Sequence, residues 1–91
     1  MQFWELRLHE KAEKQIKKLP TAIQKRIINF FKERILSSAD PLTFAKPLTG
    51  DMSGFWRFRI GEYRVITIID QGKMVILALE IGHRKDVYKK K

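Results

Sequence analysis

Residues 2–8 alternate, with Phe3, Glu5 and Arg7 set against Trp4, Leu6 and Leu8. That period of two predicts a short strand. From His9 the period changes. Ala12, Ile16 and Leu19 recur at helical spacing with charged residues between them, and Pro20 ends this first helix. A second helix follows at once: Thr21 and Gln24 have the spacing of a capping box. Ile23, Ile27, Phe30, Phe31 and Ile35 then form a broad apolar stripe, with Lys25, Arg26, Lys32 and Glu33 largely outside it. Two helices joined at Pro20 should form an antiparallel hairpin. Ser37 to Pro41 reads as a loop, and residues 42–53, containing Pro47 and Gly50, as an irregular connection.

The remainder reads as sheet. Trp56, Phe58 and Ile60 occupy one face of a strand running from Phe55 to Ile60, and Arg57 and Arg59 occupy the other. Gly61-Glu62 is a two-residue turn, Tyr63 to Asp70 a second strand, and Gln71-Gly72 a second turn. The last strand, Lys73 to Ile81, is apolar on both faces and so central or covered; Gly82 is expected to break it ahead of a basic tail at residues 83–91. The order strand, helical hairpin, three-stranded meander predicts an α+β fold. In it the helices pack on one face of a four-stranded sheet, in which the first strand joins the antiparallel meander. A chain of 91 residues makes one domain, residues 1–91, with no repeat or linker.

Charge changes this picture from fold to partner. Lys and Arg number 19 against 10 Asp and Glu, a net +9, which implies a polyanion: nucleic acid, an acidic protein or an anionic membrane surface. No apolar run approaches the ~20 residues that span a bilayer. Glu5 and Arg7 interrupt any secretory signal core. The absence of cysteine excludes disulfides, thiolate catalysis and zinc–thiolate sites, and fits a cytoplasmic protein.

The candidate chemistry sits near the C-terminal half. Arg57 and Arg59 lie about 7 Å apart along one strand face. Arg64 follows across the hairpin, on a face that register and bulges decide, and Arg84 lies just beyond the last strand. Guanidinium forks bind phosphate oxygens in a bidentate way, and a cluster of them can stabilise charge developing on a phosphorane-like transition state. The competing reading is four solvated arginines, or arginines paired with Glu62, Glu80 and Asp86. Tyr88, if it stands beside arginines, can stack on a base or serve as general base; otherwise it is a tail aromatic packed on the sheet. His83 can move protons near neutrality, against the plainer reading of a structural histidine at a strand end. His9 and His83 have no carboxylate at ligand spacing, so no metal site is expected, and no Gly-rich phosphate loop or Ser-His-Asp grouping occurs.

Three segments together resemble the RelE/ParE toxin superfamily. They are Lys46-Pro47-Leu48-Thr49-Gly50, then Gly54-Phe55-Trp56-Arg57-Phe58-Arg59-Ile60-Gly61-Glu62-Tyr63-Arg64-Val65-Ile66, and finally Gly82-His83-Arg84-Lys85-Asp86-Val87-Tyr88. The resemblance covers nearly the whole chain and implies the toxin of a type II toxin–antitoxin system. In the RelE branch it implies a ribosome-dependent mRNA endoribonuclease, acting in the A site by attack of a ribose 2′-OH on the adjacent phosphate, without metal or cofactor. By position, Arg57 and Arg59 match two basic residues of that centre, where the best-known member has lysines. Arg64 matches a phosphate-holding arginine, Arg84 one that stabilises the leaving group, and Tyr88 the tyrosine that stacks on or activates the substrate. Because arginine is a poor proton acceptor, the general-base role shifts toward Tyr88 or His83. The partners implied are a cognate antitoxin with an acidic or amphipathic segment, the ribosome and mRNA, and operator DNA only through the antitoxin. The alternatives are a ParE-like inhibitor of DNA gyrase and a catalytically inactive, basic nucleic-acid-binding member.

Overall fold

The computed structural model describes residues 3–83. Strand β1 (Glu5–Leu8) leads into helix α1 (Glu10–Lys17) and helix α2 (Thr21–Phe30). Strands β2 (Ala45–Pro47), β3 (Trp56–Ile60), β4 (Tyr63–Asp70) and β5 (Val75–His83) follow. They form one five-stranded sheet in the order β1-β5-β4-β3-β2. β1 runs parallel to β5, and every other neighbouring pair is antiparallel. The fold is therefore α+β, with two helices against one face of a mixed sheet.

The expected four strands become five because the connection at residues 42–53 contains β2, flanked by 3₁₀ turns at Pro41–Phe44 and Gly50–Met52. Three residues ending in proline carry no legible alternation. Proline is tolerated there because β2 is an edge strand and needs no donor on its outer side. The capping box is not made: Pro20 occupies the N-cap of α2 and Thr21 is already helical. Gln24 instead donates from Nε2 to the Leu19 carbonyl at 2.8 Å, satisfying the end of the α1–α2 connection. α2 continues without a break into a π-helical turn, Phe31–Ile35, closed by Leu36 N–H donating to the Phe31 carbonyl at 2.8 Å. The widened turn leaves Phe31, Ile35 and Leu36 all buried. The second hairpin turn is longer than two residues, because the chain does not re-enter the sheet until Val75 and Met74 takes a positive φ of 57°. Gly82 does not end β5, which continues to His83.

Burial follows the alternation. Phe58 and Ile60 of β3, Val65 of β4 and Ile76, Ala78 and Ile81 of β5 meet Ala12, Ile16, Ile27 and Phe31 of the helical segment in one core. The Phe31 and Phe58 rings meet edge to face at 5.1 Å between centroids, and both are fully buried. Where β1 stops at Leu8, α1 covers the open edge of β5. His9 N–H donates to the Ala78 carbonyl at 2.8 Å, and Gln15 Oε1 accepts from Ile81 N–H at 2.7 Å. His9 also caps α1, its Nδ1 accepting from Lys11 N–H at 3.3 Å, so this histidine has a structural role.

The β3–β4 turn depends on Gly61, with φ of +60° and a backbone so close to α2 that an added Cβ would lie 2.7 Å from the Arg26 guanidinium. Gly61→Ala is expected to cost about 1–2 kcal/mol from the left-handed backbone alone. The companion Arg26→Ala removes the crowding but not the strain. In urea unfolding, the double variant should recover only part of the loss; full recovery would show that contact, not backbone conformation, requires glycine.

Candidate functional site

The hairpin register settles which arginines share a face. Arg59 stands directly opposite Arg64, Arg57 opposite Ile66, and Phe58 opposite Val65. Since Phe58 and Val65 face the helices, the intervening Arg57, Arg59 and Arg64 face the other way. On the neighbouring edge strand Lys46 pairs with Arg57 and shares that face. Four cations from three strands thus occupy one end of the helix-free sheet face. Lys46 went unnoticed as a site residue because the segment holding it showed no strand pattern; its place in the Lys46–Gly50 motif was the one signal available.

These side chains differ in exposure. Arg64 is only 7% exposed, Arg57 is half-buried, and Arg59 is open to solvent. Arg57 and Arg64 each take part in an interaction within the protein. Arg59 has no carboxylate within ion-pair distance among the described residues. Glu80, one of the expected partners of the arginines, is paired with Lys11 of α1 at 3.7 Å. Opposed residues in an antiparallel pair have Cβ atoms about 4.5–5.5 Å apart, and like charges there are destabilising. Placing Arg59 and Arg64 on one rung costs like-charge repulsion, and the groups that engage Arg64 offset part of the desolvation of its guanidinium. An anionic group placed on this face would relieve the repulsion.

The concave ground is there. A depression of about 330 Å³ is lined by Thr43, Phe44, Ala45, Lys46, Arg57 and Arg59. Arg59 also borders a cleft of about 410 Å³ beyond the sheet edge, against Arg26, Asn29 and Arg34 of the helical segment. Chemically, the face can hold phosphate oxygens in bidentate fashion and neutralise added charge. Among the described residues, no group of three His, Asp or Glu side chains is placed to hold a metal ion. No helix among them is long and apolar enough to cross a membrane.

His83 is not brought to the arginines. It stands opposite Tyr63 on the helix-side face, with ring centroids 5.7 Å apart in an edge-on contact. Arg84 and Tyr88 lie outside the described residues.

The comparisons with known proteins agree with this fold. The family described as the ParE toxin of the type II toxin–antitoxin system, parDE, matches residues 6–88. Toxin RelG of Mycobacterium tuberculosis is 30% identical over 79 residues, covering 87% of this chain and 88% of that protein. The toxin–antitoxin complex RelBE2 of the same organism contains a chain that superposes with a TM-score of 0.79 at 30% identity, covering 89% of this chain and 98% of that one. The intact Escherichia coli RelBE complex shares the fold at 18% identity, with a TM-score of 0.68 and coverage of 88% and 95%. The chain belongs to the RelE/ParE superfamily of type II toxin–antitoxin toxins.

If the Arg59–Arg64 rung is held against its own repulsion, Arg59→Ala should stabilise the protein. The expected gain is about 0.2–1 kcal/mol, the scale of cross-strand pair energies. Thermal unfolding at low and high salt tests this: the gain should shrink as salt screens the pair. A destabilised Arg59→Ala at low salt would mean that Arg59 makes a net favourable contact in the folded protein.

Proposed function

We propose that this toxin is a ribosome-dependent endoribonuclease that cuts mRNA in the A site and so stops translation in the cytoplasm. The observation that carries the reading is the Arg59–Arg64 rung beside Arg57 and Lys46, an arrangement suited to a phosphate under attack. Arg57 and Arg64 hold the non-bridging oxygens of the scissile phosphate. The 2′-oxygen of the preceding ribose forms a bond to phosphorus, the bond from phosphorus to the 5′-oxygen breaks, and the departing 5′-oxygen takes a proton from water, which leaves a cyclic phosphate and a free 5′-hydroxyl. Arg59, joined by Arg84, neutralises the charge gathered on the phosphorane. Tyr88 takes the 2′ proton or stacks on a neighbouring base. The register of His83, turned toward Tyr63, favours Tyr88 over it for the proton. The mechanism asks for no metal or cofactor.

The same reading supplies a partner. Relatives crystallised as toxin–antitoxin complexes support a cognate antitoxin whose acidic or amphipathic segment neutralises the basic face, with operator DNA reached only through that antitoxin. A second reading, inhibition of DNA gyrase, is favoured by one observation: the family description that matches residues 6–88 is that of a ParE toxin.

Primer extension on a defined mRNA with stalled ribosomes separates the two. New cuts at the A-site codon are expected with the native protein and not on naked RNA. Arg64→Ala should lower the cleavage rate by about 10²–10³-fold while the protein stays folded, the usual loss when one preorganised charge stabiliser is removed. The cuts should persist in EDTA when the ribosomes are kept intact by other means. No cuts across several codons, together with loss of gyrase supercoiling, would establish the second reading instead.

A further inference from the structure

Phe44 is 42% exposed, one of the few large apolar side chains left open among the described residues. It ends the 3₁₀ turn Pro41–Phe44 directly before β2, two positions ahead of Lys46. The ring lines the same depression as Lys46, Arg57 and Arg59. Its position is fixed by a tight turn: Thr43 N–H and Oγ1 both donate to the Asp40 carbonyl, at 3.2 and 3.0 Å, and Pro41 is fully buried beneath. An exposed ring in a rigid turn contributes little to the core. An aromatic plane next to several cations is the recognition chemistry of unpaired nucleotides, whose bases stack while their phosphates are neutralised. A duplex keeps its bases stacked on one another and offers the ring no plane.

We infer that Phe44 forms a base-stacking subsite, taking one unpaired base of single-stranded RNA whose neighbouring phosphate lies on Arg57 and Arg59. This rests on reading the arginine face as an RNA-binding surface and adds to it the place of a base. The alternative occupant, an apolar side chain of a protein partner, makes a different demand on the ring, because an aliphatic residue would serve that contact equally well.

The test uses the full chain and a fluorescein-labelled, 2′-O-methyl RNA 10-mer, which can bind but not be cut. Affinity is read by fluorescence anisotropy across a salt series. Phe44→Ala and Phe44→Leu should each bind about 5- to 100-fold more weakly, the range for one lost stacking contact, and Phe44→Trp should match or exceed the native protein. The salt slope should be unchanged in all three, since no phosphate contact is lost. Arg59→Ala should instead lower that slope by about 0.7. Native-like affinity for Phe44→Ala, or for Phe44→Leu, overturns the subsite, while an Arg59-dependent slope in the same experiment leaves the arginine face standing as an RNA surface. Absence of salt-dependent binding by the native protein overturns both.

Discussion

The pairing of β3 with β4 carries both the core and the functional face. Phe58–Val65 and Arg59–Arg64 are adjacent rungs of one ladder, one pointing into the helices and the other away from them. A slip of one residue would exchange the faces of an entire strand, placing arginine against Phe31 and valine in solvent. Burial of Phe58 and Val65 therefore holds the arginines in register, even though the arginines repel one another. Only the first central residue of the closing turn, Gly61, has a positive φ, which suits a two-residue hairpin whose twist matches its strands. The hydrophobic effect thus maintains an electrostatic arrangement that electrostatics alone would disperse.

That division explains where stability is held. Most of the large buried side chains, Phe31, Ile27, Ile35 and Phe58 among them, lie on the helix side, together with the edge-to-face contact that ties the π-helical turn to β3; Ile66, paired with Arg57, is buried on the other face. The ion pairs Arg7–Glu5, Lys14–Glu10, Lys17–Glu13 and Lys11–Glu80 lie on β1 and α1 or link α1 to β5, and are largely exposed. Such pairs contribute little to folding. The exposed charge at the arginine end of the sheet, Arg59, can therefore be altered while the opposite layer holds most of the fold.

Much of this was legible in the residues. Trp56 to Ile60 alternates plainly, so the orientation of Arg57 and Arg59 followed from the strand itself. The broad apolar stripe from Ile23 to Ile35 foretold one long helical segment, though not its π-helical end, because both windings bury the same residues. β2 was hidden: Ala45-Lys46-Pro47 is too short for a pattern and is defined only by its pairing with β3. With it went Lys46, whose place depends on Arg57, eleven residues further along the chain. The face of Arg64 is not legible in the residues, because it depends on the turn closing on two residues, a fact of pairing and not of composition.

His83 shows how one local irregularity redirects chemistry. Strict alternation from Val75, which faces away from the helices with its partner Asp70, would put His83 on the arginine face. The register between β4 and β5 shifts between Ile66 and Thr67, so that Glu80 opposes Ile66 but Ala78 opposes Thr67, and Leu79 is the extra residue. A bulge of this kind reverses the parity of everything beyond it. Ile81 consequently enters the core, Gly82 falls opposite Arg64, and His83 turns to Tyr63. Glycine opposite Arg64 leaves that guanidinium without a side chain facing it from β5. The arginines cannot themselves accept a proton at physiological pH. A reaction on this face consequently draws its electrostatics from the strands and its proton acceptor from outside the arginine set, which is the role the sequence resemblance assigns to Tyr88.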